Sequence, residues 1–160
     1  MAYARPQKQG IPMADERQRV SRRRFLGAWG CLFLLNACEE KPMKVVLDVV
    51  LFNYLDRPIF AVMIDGKGEH SSDAYPKTGG GTIVGVEVTI GPKTVSWKLD
   101  GPPGAPRNGE TAENKNILEL TAVVPGARYL AVHIYPDETV ELSTSVSRPY
   151  FSPRGEAQRK

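Results

Sequence analysis

From Lys44 onward the chain alternates apolar and polar residues with a period of two rather than 3.6, the signature of strands. Lys44 to Phe52, KVVLDVVLF, is β-branched and apolar on both faces, with Asp48 the sole interruption, which predicts a strand covered on most of its length. Asn53-Tyr54-Leu55-Asp56-Arg57-Pro58 then reads as a turn, and Ile59 to Ile64 repeats the doubly apolar pattern. These two strands are expected to pair antiparallel near the middle of a sheet. Asp65-Gly66-Lys67-Gly68 closes the hairpin side. Thr82 to Ile90 puts Val84, Val86, Val88 and Ile90 on one face, with Glu87 and Thr89 on the other. After a Gly91-Pro92 turn, Thr94 to Leu99 points Val95, Trp97 and Leu99 inward, Trp97 pinning two sheets together. Asn116 to Val124 alternates weakly, and Pro125-Gly126 turns the chain. Arg128 to Tyr135 buries Leu130, Val132 and Ile134; Tyr135-Pro136-Asp137-Glu138 suits a type I turn, and Thr139 to Ser147 returns as a hairpin strand. About seven strands, with no amphipathic helix after residue 40, predict an all-β fold, either an antiparallel β-sandwich or an open barrel.

Two stretches break the pattern. Glu69 to Gly81, EHSSDAYPKTGGG, and Asp100 to Glu110, DGPPGAPRNGE, carry no strand or helix period and read as long loops. The glycine triplet Gly79 to Gly81 precedes a strand rather than a helix, so it reads as a hinge and not as a phosphate cradle. Loops on a rigid β-scaffold are where recognition concentrates, which makes Glu69, His70, Asp73 and Tyr75 of the first loop, with Arg107 and Asn108 of the second, the candidate partner-binding residues.

Upstream of the β-domain lies a different kind of sequence. Arg22-Arg23-Arg24 precedes thirteen mostly apolar residues, Phe25 to Ala37, followed by Leu35-Asn36-Ala37-Cys38 at their end. A membrane-spanning helix needs about 20 apolar residues and a signal h-region about 7 to 15, so this segment reads as a cleaved signal. The box ending in Ala37-Cys38 resembles a lipoprotein signal peptidase site, which predicts residues 1–37 as signal peptide, Cys38 as the lipidated first residue and 38–43 as a tether. Ser21-Arg22-Arg23-Arg24-Phe25-Leu26 also fits a twin-arginine signal, with the general secretory route the alternative. The β-domain is then expected over 44–151, with 152–160, SPRGEAQRK, a flexible tail. The protein is thereby placed on the periplasmic face of a bacterial membrane, inner or outer.

Removing the leader changes the charge. The chain carries a formal +3, yet residues 1–37 hold seven of the 21 Lys and Arg and two of the 18 Asp and Glu, leaving 14 against 16. That balance excludes a nucleic-acid partner read from net charge. Cys31 leaves with the leader and Cys38 is acylated, so no thiol is left for a disulfide or a nucleophile. Only two histidines exist. His133 shares a strand face with Tyr129, Ala131 and Tyr135 and reads as a half-exposed rim residue. His70 neighbours Ser71, Ser72 and Asp73, but triads are assembled from distant segments. No cofactor, metal or catalytic set is expected.

Three groups of residues together resemble a known family. Asn53-Tyr54-x-Asp56-Arg57-x-Ile59, the glycine triplet Gly79 to Gly81 and the turn Tyr135-Pro136-Asp137 are similar to motifs of small proteobacterial lipoproteins long classed as a domain of unknown function. The likeness spans roughly Val50 to Glu156. It implies a non-catalytic lipoprotein, some similar members being immunity proteins for type VI secretion phospholipases. The partner would then be a phospholipase effector of the phospholipase D type, which Glu69 and Asp73 could meet at a basic phosphate-binding site. The alternatives are a structural or assembly lipoprotein of the envelope and, with least support from the residues, a hydrolase using His70 or His133.

Overall fold

The computed structural model describes residues 43–78 and 81–158; the leader, Cys38, the tether before Met43, and Gly79 and Gly80 of the triplet lie outside the described residues. In chain order the described strands are β1 (Lys44–Asn53), β2 (Ile59–Ile64), β3 (Thr82–Thr89), β4 (Gly91–Pro92), β5 (Val95–Leu99), β6 (Thr111–Glu113), β7 (Glu119–Leu120), β8 (Tyr129–Ile134) and β9 (Val140–Ser145), followed by one helical turn, α1 (Pro153–Glu156). They form a four-stranded sheet in the order β3-β1-β8-β9, a three-stranded sheet in the order β2-β5-β6, and a two-stranded clip of β4 with β7. No sheet closes on itself, so the all-β fold is a sandwich and not a barrel.

β1 is the centre of this arrangement. Its inner row, Leu47, Val49 and Leu51, joins Leu130, Val132 and Ile134 of β8 and meets Val62, Ile64, Val95, Trp97 and Leu99 from the facing sheet in one buried cluster. Burying an aliphatic side chain of this size contributes about 1.5–3 kcal/mol, so this row carries much of the fold. Trp97 is fully buried at the centre, as its place in the alternation predicts.

The pairing of β1 differs from expectation. β1 and β2 are not a hairpin: β1 lies between β3 and β8, while β2 pairs with β5 in the other sheet. The turn after Asn53 crosses between sheets and so leaves both hydrogen-bonding edges of β1 free for β3 and β8. The β1–β8 pair is parallel, from Asp48 opposite Tyr129 to Asn53 opposite Ile134, whereas the other named pairs are antiparallel.

Smaller differences have local causes. Val84 is exposed rather than inward, because β3 bulges opposite Asp48; Gly85 takes φ +72° there and its N–H donates to Asp48 Oδ1 at 3.0 Å. Ile83 packs against the core instead. Of the weakly alternating stretch 116–124, only Glu119–Leu120 forms a strand. Asn116 is occupied otherwise, its Oδ1 accepting from Val140 N–H (2.9 Å) and its Nδ2 donating to Val140 O (3.0 Å), which covers the free edge of β9. Lys93 is buried because its ammonium reaches Thr89 Oγ1 (2.9 Å), Pro92 O (2.7 Å) and Asp65 Oδ2 (3.0 Å).

The outer face of the four-stranded sheet is covered as well, and the cover is the C-terminal segment. Val50, Phe52, Tyr54, Ala131 and Tyr135 form a second buried cluster with Tyr75, Tyr129 and Phe151 against it. His133 is not a rim residue: it is 4% exposed, stacked on Phe52 (centroids 4.8 Å apart), with Nδ1 3.1 Å from Tyr54 Oη. Nor is 152–158 a loose tail. Ser152 N–H donates to Tyr54 Oη (3.0 Å), Ser152 Oγ lies 2.7 Å from Tyr135 Oη and caps α1 by accepting from Gly155 N–H (2.9 Å), and Gly155 packs directly on the Tyr54 ring. Arg154 sits 3.8 Å over the Tyr135 ring and pairs with Asp137 (2.7 Å) and Glu141 (3.2 Å). Its composition is polar, yet Ser152 and Arg154 find partners here.

Burial lowers the His133 pKa from its ordinary 6.5 to about 4, with Glu141 opposing weakly. Between those values the unfolded chain binds the proton and the fold does not, so stability is full above pH 6.5 and is lost as pH falls toward 4. Denaturant titrations should show a loss of about 2 kcal/mol from about pH 7.5 to about pH 5, most of which His133→Phe removes. Gly155→Ala drives a methyl into the Tyr54 ring and should destabilise the fold by about 2 kcal/mol while exposing the C-terminal segment to carboxypeptidase; an unchanged melting midpoint would show that the segment does not seal the sheet.

Candidate functional site: a cleft where two loops meet

The corner after β1 positions everything at this end of the sandwich. Asn53 is fully buried; its Oδ1 accepts from Leu55 N–H (3.0 Å), while its Nδ2 donates to Arg57 O (2.9 Å) and Asp73 O (2.9 Å). Its backbone N–H donates to Thr78 Oγ1 (2.6 Å). One buried residue thus folds the corner and holds the first loop at two points, Asp73 and Thr78. Arg57 does the same for the second loop, its Nε donating to Asp100 O (2.8 Å) and its Nη1 to Pro106 O (2.7 Å). The planar guanidinium suits two carbonyls offered in a fixed geometry.

Between these fixed loops lies an open cleft of about 570 Å³. Tyr54, Leu55 and Tyr75 form its apolar wall, the Tyr54 and Tyr75 rings tilted at 5.7 Å. Arg57, Arg107 and Glu138 supply charge, and Pro136 and Gln158 close the rim. Tyr135-Pro136-Asp137-Glu138 is the expected turn, with Glu138 N–H donating to Tyr135 O (2.9 Å); Glu138 itself takes φ +62°, which lets β9 pair back through Tyr135 N–H to Thr139 O (3.0 Å). The Glu138 carboxylate is held below its usual range by the hydrogen bonds of Lys115 and Arg107, at 2.8 and 2.9 Å. Arg107 also reaches Glu110 at 2.9 Å, so charges alternate in sign along this wall. A cleft lined by aromatic rings and by charges of both signs can take a polar or aromatic side chain from a partner surface.

The sequence-derived site residues divide. Tyr75 and Arg107, one from each loop, come together on the cleft. Asp73 is exposed and borders a neighbouring concavity of about 390 Å³ with Ser72, Lys77 and Asp100. His70 turns inward: its ring packs on Gly81, and its backbone carbonyl accepts from Val62 N–H (2.9 Å), running the first loop along the edge of β2. Glu69 is exposed and lines neither concavity. Asn108 staples its own loop through Nδ2 to Gly101 O (3.2 Å). The sequence places Tyr54, Arg57, Pro136 and Glu138 in turns and assigns none of them to the partner-binding set. Their signal was present in the motif segments Asn53 to Ile59 and Tyr135 to Asp137, which reach the same cleft from sites far apart in sequence.

Arg57→Ala should cost about 2 kcal/mol through two lost charge-assisted hydrogen bonds, and should raise hydrogen exchange across 100–110 without changing it in β8. Arg57→Lys cannot span both carbonyls and should restore little of either effect. Uniform exchange in both segments would remove Arg57 from this positioning role.

No family model matches the chain, and neither curated proteins nor solved structures yielded a match, so the likeness to the lipoprotein family stands on the motif residues alone.

Proposed function

We propose that the protein is a periplasm-facing, lipid-anchored immunity protein that binds and neutralises a type VI secretion phospholipase of the phospholipase D type, without turnover. The observation that carries this reading is the convergence of both long loops and both motif turns on one cleft, whose lining includes both Tyr75 and Arg107. A binder needs fixed, irregular backbone on a rigid scaffold, and Asn53 and Arg57 provide the fixing. Tyr75 is the aromatic anchor, half-buried against Tyr54 and edge-on to Phe151, so its orientation is set before a partner arrives. Asp73 and Asp100 on the neighbouring concavity offer negative charge to a basic phosphate-binding site. The motif resemblance supplies the class of partner. Both histidines are packed within the domain, which favours a binder over a hydrolase that uses them.

Titrating a phospholipase D-type secretion effector with the β-domain tests the proposal. Inhibition should be complete near one equivalent, and Tyr75→Ala or Arg107→Glu should weaken it about tenfold or more, as truncation of a central anchor does. A lipase that stays fully active at excess protein would transfer the cleft to the envelope-assembly alternative.

A further inference from the structure

The end of the sandwich opposite the cleft carries a different surface. Lys44 at the start of β1 pairs with Thr89 at the end of β3, Asp48 with Tyr129 at the start of β8, and Tyr129 with Ser145 at the end of β9. Met43 and the chain entering β8 and leaving β9 therefore share one end of the sheet. The cleft lies at the other, beyond Asn53 and Ile134, separated from Met43 by the ten residues of β1, roughly 30 Å at the rise of a strand, and from the start of β8 and the end of β9 by six, roughly 20 Å. Seven large apolar side chains are exposed among the described residues, and four of them, Met43, Val46, Val124 and Val146, lie by register in the half of the sheet away from the cleft, each between 48% and 68% exposed. Val124 is held there by its N–H to Thr144 Oγ1 (3.0 Å). Beside them Tyr129 carries the Arg128 guanidinium 6.0 Å from its ring, an aromatic and cation pairing suited to a headgroup layer.

We propose that this end of the sandwich rests directly on the lipid surface, so that the cleft stands off the membrane and takes its partner from the far side. The proposal rests on the lipid-anchor reading of Cys38. Four residues separate Cys38 from Met43, so the span has a reach of at most about 18 Å. A lipid on Cys38 therefore holds Met43 near the bilayer, and a lipid surface is the one apolar partner that such a tether keeps in continuous contact with Met43, Val46, Val124 and Val146. Each side chain is small, so none anchors alone; the tether supplies proximity and the apolar end supplies orientation.

The test separates orientation from anchoring by making the anchor chemically. The chain from Cys38 onward contains all described residues, its compact unit closes within residues 39–160, and Trp97 in the core is its one native tryptophan. It is coupled through the Cys38 thiol to maleimide-lipid vesicles of phosphatidylglycerol and dibrominated phosphatidylcholine. Bromine quenches indole only at the bilayer. Val146→Trp emission should be roughly halved relative to unbrominated vesicles, and Pro103→Trp, on the second loop, should be unchanged. Should Val146→Trp fail to fold by far-ultraviolet spectrum, Val124→Trp makes the same measurement. Equal quenching at the two ends, no quenching at either, or stronger quenching at Pro103→Trp would each overturn the seating. A native membrane fraction in which Cys38 has no acyl mass would instead overturn the anchor reading, and with it the biological setting of the contact, whatever the coupled vesicles show.

Discussion

β1 is apolar on both faces, and a strand of that kind stays out of water only if it is covered twice. The facing sheet covers Leu47, Val49 and Leu51, as in any sandwich. The other row, Val50, Phe52 and Tyr54, has no sheet to face, and the C-terminal segment covers it with Phe151, Ser152 and Gly155. Much else follows from that second covering. The aromatic row of β8 becomes interior, His133 is held neutral, and Tyr135 gives its hydroxyl hydrogen to Glu141 at 2.6 Å, with burial raising its pKa. Tyr54 accepts the Ser152 N–H and so has its own hydrogen left for His133 Nδ1, which makes the hydrogen-bonded row consistent without a charge.

The cleft depends on the point at which β1 stops. Because Asn53 is buried, its amide must be satisfied internally, and the partners within reach are carbonyls and N–H groups of the corner and of the first loop. Satisfying that one side chain fixes Asp73 and Arg57 together. Arg57 then spends its own donors on the second loop. Two segments that look unstructured in isolation are therefore set by the hydrogen-bond demand of two residues, and the space left between them is the cleft. Most charges around the cleft are in solvent, so they add little to stability; their value lies in placing Arg107 and Glu138 at a defined spacing.

If the two ends of β1 serve the tether and the partner respectively, the strand is also the spacer between them. A parallel β1–β8 pair helps here, since both strands deliver their C-terminal ends, Asn53 and Ile134, to the cleft and their N-terminal ends toward Met43. An antiparallel β1–β2 hairpin would have placed a turn at the cleft end with no corner to carry Asn53 and Arg57 across to the second sheet.

By itself the sequence determined the β class, the doubly apolar character of β1, the inward rows of β5 and β8, and the bounds of β2, because side-chain alternation is a local property with a fixed period. It also marked the two loops and the Tyr135 to Glu138 turn, whose residue types suit few other conformations. Only the tertiary structure decided which strands are neighbours, since a doubly apolar strand pairs equally well with several others and the choice depends on how all of them cover one another. The same holds for the tail. Ser152 to Gln158 has no apolar run to announce burial, and its order comes from Tyr54, Tyr135, Asp137 and Glu141, which lie far from it along the chain. Tyr75 and Arg107 were legible as loop residues; that they line one cleft followed from Asn53 and Arg57, whose hydrogen bonds exist only once the two sheets have packed.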